Sequence, residues 1–336
     1  MALELTRENT VFTTKGQCGY FSVLRMPSNK IRIYYRSSFP ETDVGWSMPT
    51  RYLDSDDGIT FSQPEDDIIF EKSGICHNFL PFIETNPDAK MPLKGVGGCH
   101  WKRKDPYWNL RDRHKDVEKD TSATLGYRGV YIFDSQDGLK WNLLQKHPIV
   151  TRRHPGFCTR RKQPSEFDSA ISCLYDNKTN KYRLWVRSNV KQDVRFIQET
   201  ESEDFYEWTP FKLITFKPIF DFKSNYYFPS FYRHPDNERF LGLVPYCNEK
   251  KAMLRLCISE DGHKWRKIED VLTESPIATG RKKKLKNYSH SVNGYVLSAD
   301  KKQIYFYVHH NYFQLKPKRP VKIVRYSMDF KELMKF

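Results

Sequence analysis

The chain has 336 residues and a formal net charge of +15, from 56 Lys and Arg against 41 Asp and Glu. That excess favours acidic partners, among them nucleic acid, charged glycans and phosphorylated ligands, and by itself selects none of them. Seven cysteines, an odd number with no C-x-x-C spacing, argue against a disulfide framework and a zinc site. No apolar run approaches membrane-spanning length, and Glu4, Arg7 and Glu8 stand where a signal peptide needs apolar residues, so a soluble, cytosolic chain with no membrane partner is expected.

From the N-terminus, a first strand pair runs from Gly19 to Leu24 and from Ile31 to Tyr35 around Ser28-Asn29-Lys30, and a different turn, Ser55-Asp56-Asp57-Gly58, follows with Phe61 behind it. The same two-part unit returns. Asn78 to Ile83 and Leu93 to Val96 flank Asn86-Pro87-Asp88, and Val130 to Phe133 leads into Ser135-Gln136-Asp137-Gly138 with Trp141. Ala170 to Tyr175 and Tyr182 to Val186 flank Asp176-Asn177-Lys178, followed by Ser202-Glu203-Asp204-Phe205 with Trp208. Tyr227 to Tyr232 and Phe240 to Val244 flank Pro235-Asp236-Asn237, and Leu254 to Ile258 leads into Ser259-Glu260-Asp261-Gly262 with Trp265. Finally Ser291 to Leu297 and Ile304 to Val308 flank Asp300-Lys301, and Ile323 to Tyr326 runs into a worn copy, Ser327-Met328-Asp329-Phe330.

Each part is a hairpin on physical grounds. Ser and Asp side chains bond nearby backbone amides, Gly takes a positive φ, and the aromatic residue anchors the returning strand. Turns at 29, 87, 177, 236 and 300 are spaced by 58, 90, 59 and 64 residues, so a unit of about sixty residues carries four strands. Five such units predict an all-β, five-bladed β-propeller with four antiparallel strands per blade, one domain over 1–336. A β-sandwich is the structural rival. The long step holds residues 99–125, polar and short of apolar alternation, expected as an inserted loop over one mouth.

The S-x-D-G-x-x-W copies resemble the five-bladed glycosidase superfamily of invertases, levansucrases and arabinanases. So do Glu166-Phe167-Asp168-Ser169 ahead of a hairpin ending in Tyr182-Arg183-Leu184-Trp185-Val186-Arg187, and His77-Asn78-Phe79-Leu80-Pro81-Phe82 followed by Lys94-Gly95-Val96-Gly97-Gly98. The likeness spans nearly the whole chain as blade architecture. It implies a sugar site at one mouth of the central channel, with acids on different inner strands as nucleophile or base, general acid and transition-state stabiliser. The match is partial. The first inner strand reads Gln17-Cys18-Gly19-Tyr20 and lacks the invertase-like Asn-Asp-Pro-Asn, whereas Asp168 matches the superfamily's middle aspartate, the stabiliser.

Candidate catalytic residues are therefore Asp168, Glu166 and Glu84. Glu166 and Asp168 lie two apart and so on one strand face, while Glu84 and Asp221 lie off the expected positions. Basic strand ends, Arg36, Lys94, Arg187 and His309, would form a cationic ring for a carboxylate, sulfate or phosphate if they converge; the alternative is pairing with acids between blades. His77, Asn78, Tyr227 and His290 head the second, fourth and fifth inner strands. Trp101 and Trp108 in the inserted loop offer faces for sugar stacking, and loop packing explains them equally.

Three functions follow as expectations. The first is a carbohydrate-active, glycoside-hydrolase-like enzyme that cleaves a glycan, an anionic one included, at the channel mouth. The second is a non-catalytic glycan-binding propeller, suggested by the missing acid on the first blade. The third is a nucleic-acid or protein-interaction scaffold, resting on charge alone. Sialidases share turns of this kind and an arginine cluster, but have six blades. No phosphate loop, nucleophile elbow or His/Cys pair is present, so no cofactor and no metal are expected.

Overall fold

The computed structural model describes residues 3–14, 18–37, 49–64, 67–71, 75–98, 129–159, 167–191, 194–219, 224–279, 284–287, 289–311 and 320–336. The expected inserted loop, 99–125, lies outside them. The fold is a five-bladed β-propeller. The chain enters on β1 (Thr6–Thr14) and then builds a first blade from β2 (Cys18–Arg25), β3 (Ile31–Ser37), β4 (Thr50–Ser55) and β5 (Ile68–Phe70). The second blade is β6 (Leu80–Ile83), β7 (Leu93–Gly97), β8 (Tyr131–Ser135) and β9 (Asn142–Leu143). The third is β10 (Ser172–Asp176), β11 (Lys181–Lys191), β12 (Val194–Ser202) and β13 (Lys212–Leu213).

In the fourth blade β14 (Thr215–Lys217) lies parallel to β19 (Lys264–Glu274), outside β18 (Ala252–Ser259) and β17 (Phe240–Cys247). Its inner strand is broken into β15 (Asn225–Tyr226) and β16 (Phe231–Arg233), around Pro229, which has no N–H to give the ladder. A separate pair, β20 (Ile277–Thr279) and β21 (Lys284–Lys286), precedes the fifth blade. That blade has a broken inner strand too, β22 (His290–Ser291) and β23 (Val296–Leu297), then β24 (Gln303–His310) and β25 (Val321–Asp329). Its outermost strand is β1, paired antiparallel from Thr6 opposite Ser327 to Thr14 opposite Val321. The two ends of the chain thus share one blade and close the ring.

The recurring turns form as their residues require. Ser55 Oγ accepts from Gly58 N at 2.9 Å, Asp57 Oδ1 accepts from Ile59 N and Thr60 N at 2.7 and 2.8 Å, and Gly58 has φ +72°. Those amide bonds, with Thr60 first, lower the Asp57 carboxyl to about 2. Ser135 with Asp137 and Ser259 with Asp261 repeat the arrangement. The worn fifth copy ends differently: Asp329 Oδ1 accepts from Glu332 N at 3.0 Å and caps α1 (Phe330–Met334).

These turns also join blades. Tyr34 Oη donates to Gly138 O at 2.9 Å, Trp185 Nε1 to Gly262 O at 2.9 Å, and Tyr307 Oη to Gly58 O at 2.8 Å. In each case the second strand of one blade binds the turn of the next. Where the third blade has Phe205 in place of Gly, at φ +74°, its buried ring packs against Phe82 and Tyr182. Among the described cysteines, 18, 76, 158, 173, 247 and 257, none is in a disulfide. Among the described residues no helix is long and apolar enough to cross a membrane.

Candidate functional site

The inner strands converge on the axis. Ser172 Oγ of the third blade meets Asn293 Oδ1 of the fifth at 3.2 Å, a contact between blades that are not neighbours in the ring. Beside it Tyr20, Leu80, Ala170, Tyr227 and Phe228, from the first four blades, form one buried apolar cluster. Tyr20 holds φ +52° and Asn78 φ +57°, left-handed values that an L-residue adopts at a cost. Both flank the same mouth.

Three blades bring polar groups together there. Asp168, just ahead of β10, has Oδ1 3.1 Å from His77 Nε2, with the carboxylate side chain 23% exposed and the imidazole 1% exposed. Arg36, near the end of β3, has Nη1 2.6 Å from the same Nε2, and its guanidinium lies 4.6 Å from the Tyr20 ring centroid. Burial alone would raise the Asp168 carboxyl. The His77 hydrogen bond, then Arg36 and Arg187, outweigh it and hold the group far below the usual carboxylate range. Burial, aided by Arg36, lowers His77. The site therefore presents a fixed anion, partly open to solvent, braced by a buried ring and two guanidinium groups.

The rest of the mouth is aromatic. Tyr227 and Phe228 lie 5.0 and 5.2 Å from the His290 ring, His290 lies 6.5 Å from His309, and His309 packs on Phe21 at 4.7 Å. Burial first, then His310, lowers His309 to about 3, so it is neutral at physiological pH. Arg195 stands over the Tyr227 ring at 4.7 Å.

The structure thus gathers Asp168, His77, Arg36, Arg187, Tyr227, His290 and His309. It does not bring in Glu84 or Lys94. Glu84 follows β6, whereas His77 precedes it, so the strand's four residues, about 13 Å, separate them. There Glu84 Oε1 accepts from Thr85 N and Asn86 N, Oε2 accepts from Tyr182 Oη at 2.8 Å, and Lys94 Nζ stands 3.7 Å away. Asn78 is 1% exposed and bonds inward, its Nδ2 donating to Ser169 O at 3.2 Å. Glu166, Trp101, Trp108 and Asp221 lie outside the described residues.

Two mouth residues escaped the sequence reading. Tyr20 was signalled by its place in the first inner strand; Arg195 carries no local signal, because it enters from the third strand of its blade. Among the described residues no group of three or more His, Cys, Asp or Glu is gathered as a metal ion would need.

No family model matches the chain, and no curated protein matches it. Solved structures do. An N-acetylgalactosamine deacetylase from F. plautii, in complex with blood group B trisaccharide, aligns at 13% identity and TM-score 0.56 over 99% of this chain and 96% of its own. The GH93 α-L-arabinofuranosidase of Fusarium graminearum, with arabinobiose, aligns at 11% identity and TM-score 0.54 over 99% of each chain. An α-L-arabinanase of Penicillium chrysogenum, also with arabinobiose, gives 11% identity and TM-score 0.51 over 99% of each. The fold is the five-bladed propeller seen in glycoside hydrolases, and at these identities the likeness extends to the fold alone.

Proposed function

We propose that this chain is a carbohydrate-active protein that binds a glycan at the propeller mouth, with Asp168 as the central acceptor for sugar hydroxyls. The observation that carries the reading is a partly exposed carboxylate held ionised by buried His77. A carboxylate so held accepts hydrogen bonds at neutral pH and cannot donate a proton. Fold neighbours solved with glycans support the same reading. Arg36, whose Nε is buried without a hydrogen-bond partner among the described residues, favours an anionic glycan.

Titration calorimetry with arabino-oligosaccharides, N-acetylgalactosamine-bearing oligosaccharides and oligogalacturonate tests it. Binding of at least one, lost in Asp168→Ala, is the expected result; no binding of any glycan in a broad array overturns it.

The second reading is cleavage. It is favoured by the place of Asp168 at the head of the third inner strand, where its negative charge would stabilise an oxocarbenium-like transition state, with Glu166 two residues away. Reducing-end release that survives in Asp168→Asn at the wild-type rate would remove Asp168 from that role.

A further inference from the structure

We infer that the glycan taken at the mouth is an oligouronate, with a sugar hydroxyl on Asp168 and a sugar carboxylate on Arg195, which makes Arg195 a specificity-determining residue. The inference rests on the glycan reading above and adds the chemical class of the ligand.

A continuous line of contacts joins the two ends of this site. The Arg36 guanidinium, beside the His77 that holds Asp168, lies 4.6 Å from the Tyr20 ring centroid, and Tyr20 meets Phe228 edge-on at 6.0 Å. Phe228 lies 5.7 Å from Tyr227, and the Arg195 guanidinium stands 4.7 Å over Tyr227. The backbone of Arg195 is held there: its N–H donates to Asn225 Oδ1 at 2.8 Å, across the seam from β12 of the third blade to β15 of the fourth. Within the third blade, β12 lies two strands out from β10, about 10 Å. Asp168 stands just ahead of β10, and an oligosaccharide fits that span.

The charges decide what the ligand carries. Arg36 and Arg187 both act on Asp168 and on the Tyr20 hydroxyl, which burial keeps protonated and so a further donor. With Arg195, the residues joined by these contacts bring three guanidinium groups to one carboxylate, an excess of two positive charges. Two sugar carboxylates balance it. A guanidinium presents its five N–H donors in one plane, and a carboxylate meets that fork through two parallel hydrogen bonds. Stacking over Tyr227 orients the Arg195 plane for such a pair. Asp168 only accepts, and the ring hydroxyls of a uronic acid supply the donor it needs.

Titration calorimetry at pH 7 with oligogalacturonate and with a glucuronate-bearing oligosaccharide, each beside its methyl ester, tests the inference. The ester keeps the ring and its hydroxyls and removes the charge. At least one acid should bind about tenfold or more tightly than its ester. Arg195→Gln should erase that difference, and Arg195→Lys should retain part of it. Three results would overturn the inference and leave the glycan reading standing: esters or neutral oligosaccharides that bind as tightly as the acids, sulfated glycans that bind in place of uronates, or an acid preference that survives in Arg195→Gln. Absence of binding by any glycan overturns both. The comparison of acid with ester on the wild-type chain does not depend on the variants folding.

Discussion

His77 Nε2 lies 3.1 Å from Asp168 Oδ1 and 2.6 Å from Arg36 Nη1. One nitrogen cannot donate to the carboxylate and accept from the guanidinium at once, so the imidazole tautomer decides which neighbour it serves. Either way His77 is the joint between the first and third blades, and its burial, aided by Arg36, lowers its pKa.

Removing that joint should release Asp168. In the wild-type chain glycan binding is expected to stay flat as pH falls through the ordinary aspartate range near about 4. In His77→Ala a carboxylate titration should enter the profile, with binding weakened by about 1.5–3 kcal/mol, the worth of a hydrogen bond to a charged group. Calorimetry between pH 3.5 and 7 on both proteins reads the difference. Matching profiles would show that His77 does not hold the charge.

A second acid responds in the opposite direction. Glu199, on β12, has Oε1 2.7 Å from His263 Nδ1, and burial raises it to about 8 against the lowering effect of Arg183. Burial also lowers His263, so the pair is neutral, with the proton on Glu199. The folded state then binds a proton that the unfolded state has released. Stability contributed by this group is full below its unfolded value near about 4.3 and declines until pH passes about 8. Glu199→Gln should flatten that decline. Urea unfolding at pH 5, 7 and 9 is the measurement, with a change on the order of 4 kcal/mol across the window.

The turn locks between blades predict a modest, specific loss. Tyr34→Phe removes the bond to Gly138 O and should cost about 0.5–1.5 kcal/mol, the net worth of one hydrogen bond, because Trp141 Nε1 still donates to that carbonyl at 3.0 Å. Gly138→Ala should cost at least as much, since it forces a side chain to φ +72° against the Tyr34 hydroxyl. Thermal unfolding of the two variants and their double mutant should show non-additive losses.

Phe205 invites a consensus repair that should fail. Replacing it with the Gly of the sister turns would relieve about 1–2 kcal/mol of left-handed strain. The same change empties a fully buried site and loses about 3–5 kcal/mol of aromatic packing. Phe205→Gly is therefore expected to lower the midpoint of urea unfolding. A higher midpoint would mean that the ring contributes little to the seam with Phe82 and Tyr182.

The sequence by itself determined the blade number, because each Ser-x-Asp turn is a local device whose bonds close within four residues: Ser55 to Gly58, Asp57 to Thr60. It also located Asp168, His77 and Arg36 at strand ends. It did not disclose that β1 completes the fifth blade. The Thr6–Thr14 stretch pairs with residues some three hundred positions away, and that register has no signature until both ends meet.

Likewise Arg36 and Lys94 read as equivalent strand ends, yet one faces the mouth beside His77 and the other sits with Glu84 at the opposite end of its hairpin. The two belong to equivalent second strands that run the same way, and they part because Arg36 comes at the finish of β3 whereas Lys94 comes at the start of β7. The gathering of Arg36, His77 and Asp168 from three blades was likewise decided by tertiary structure alone, because only closure of the propeller brings strand starts 91 residues apart, as His77 and Asp168 are, within one hydrogen bond.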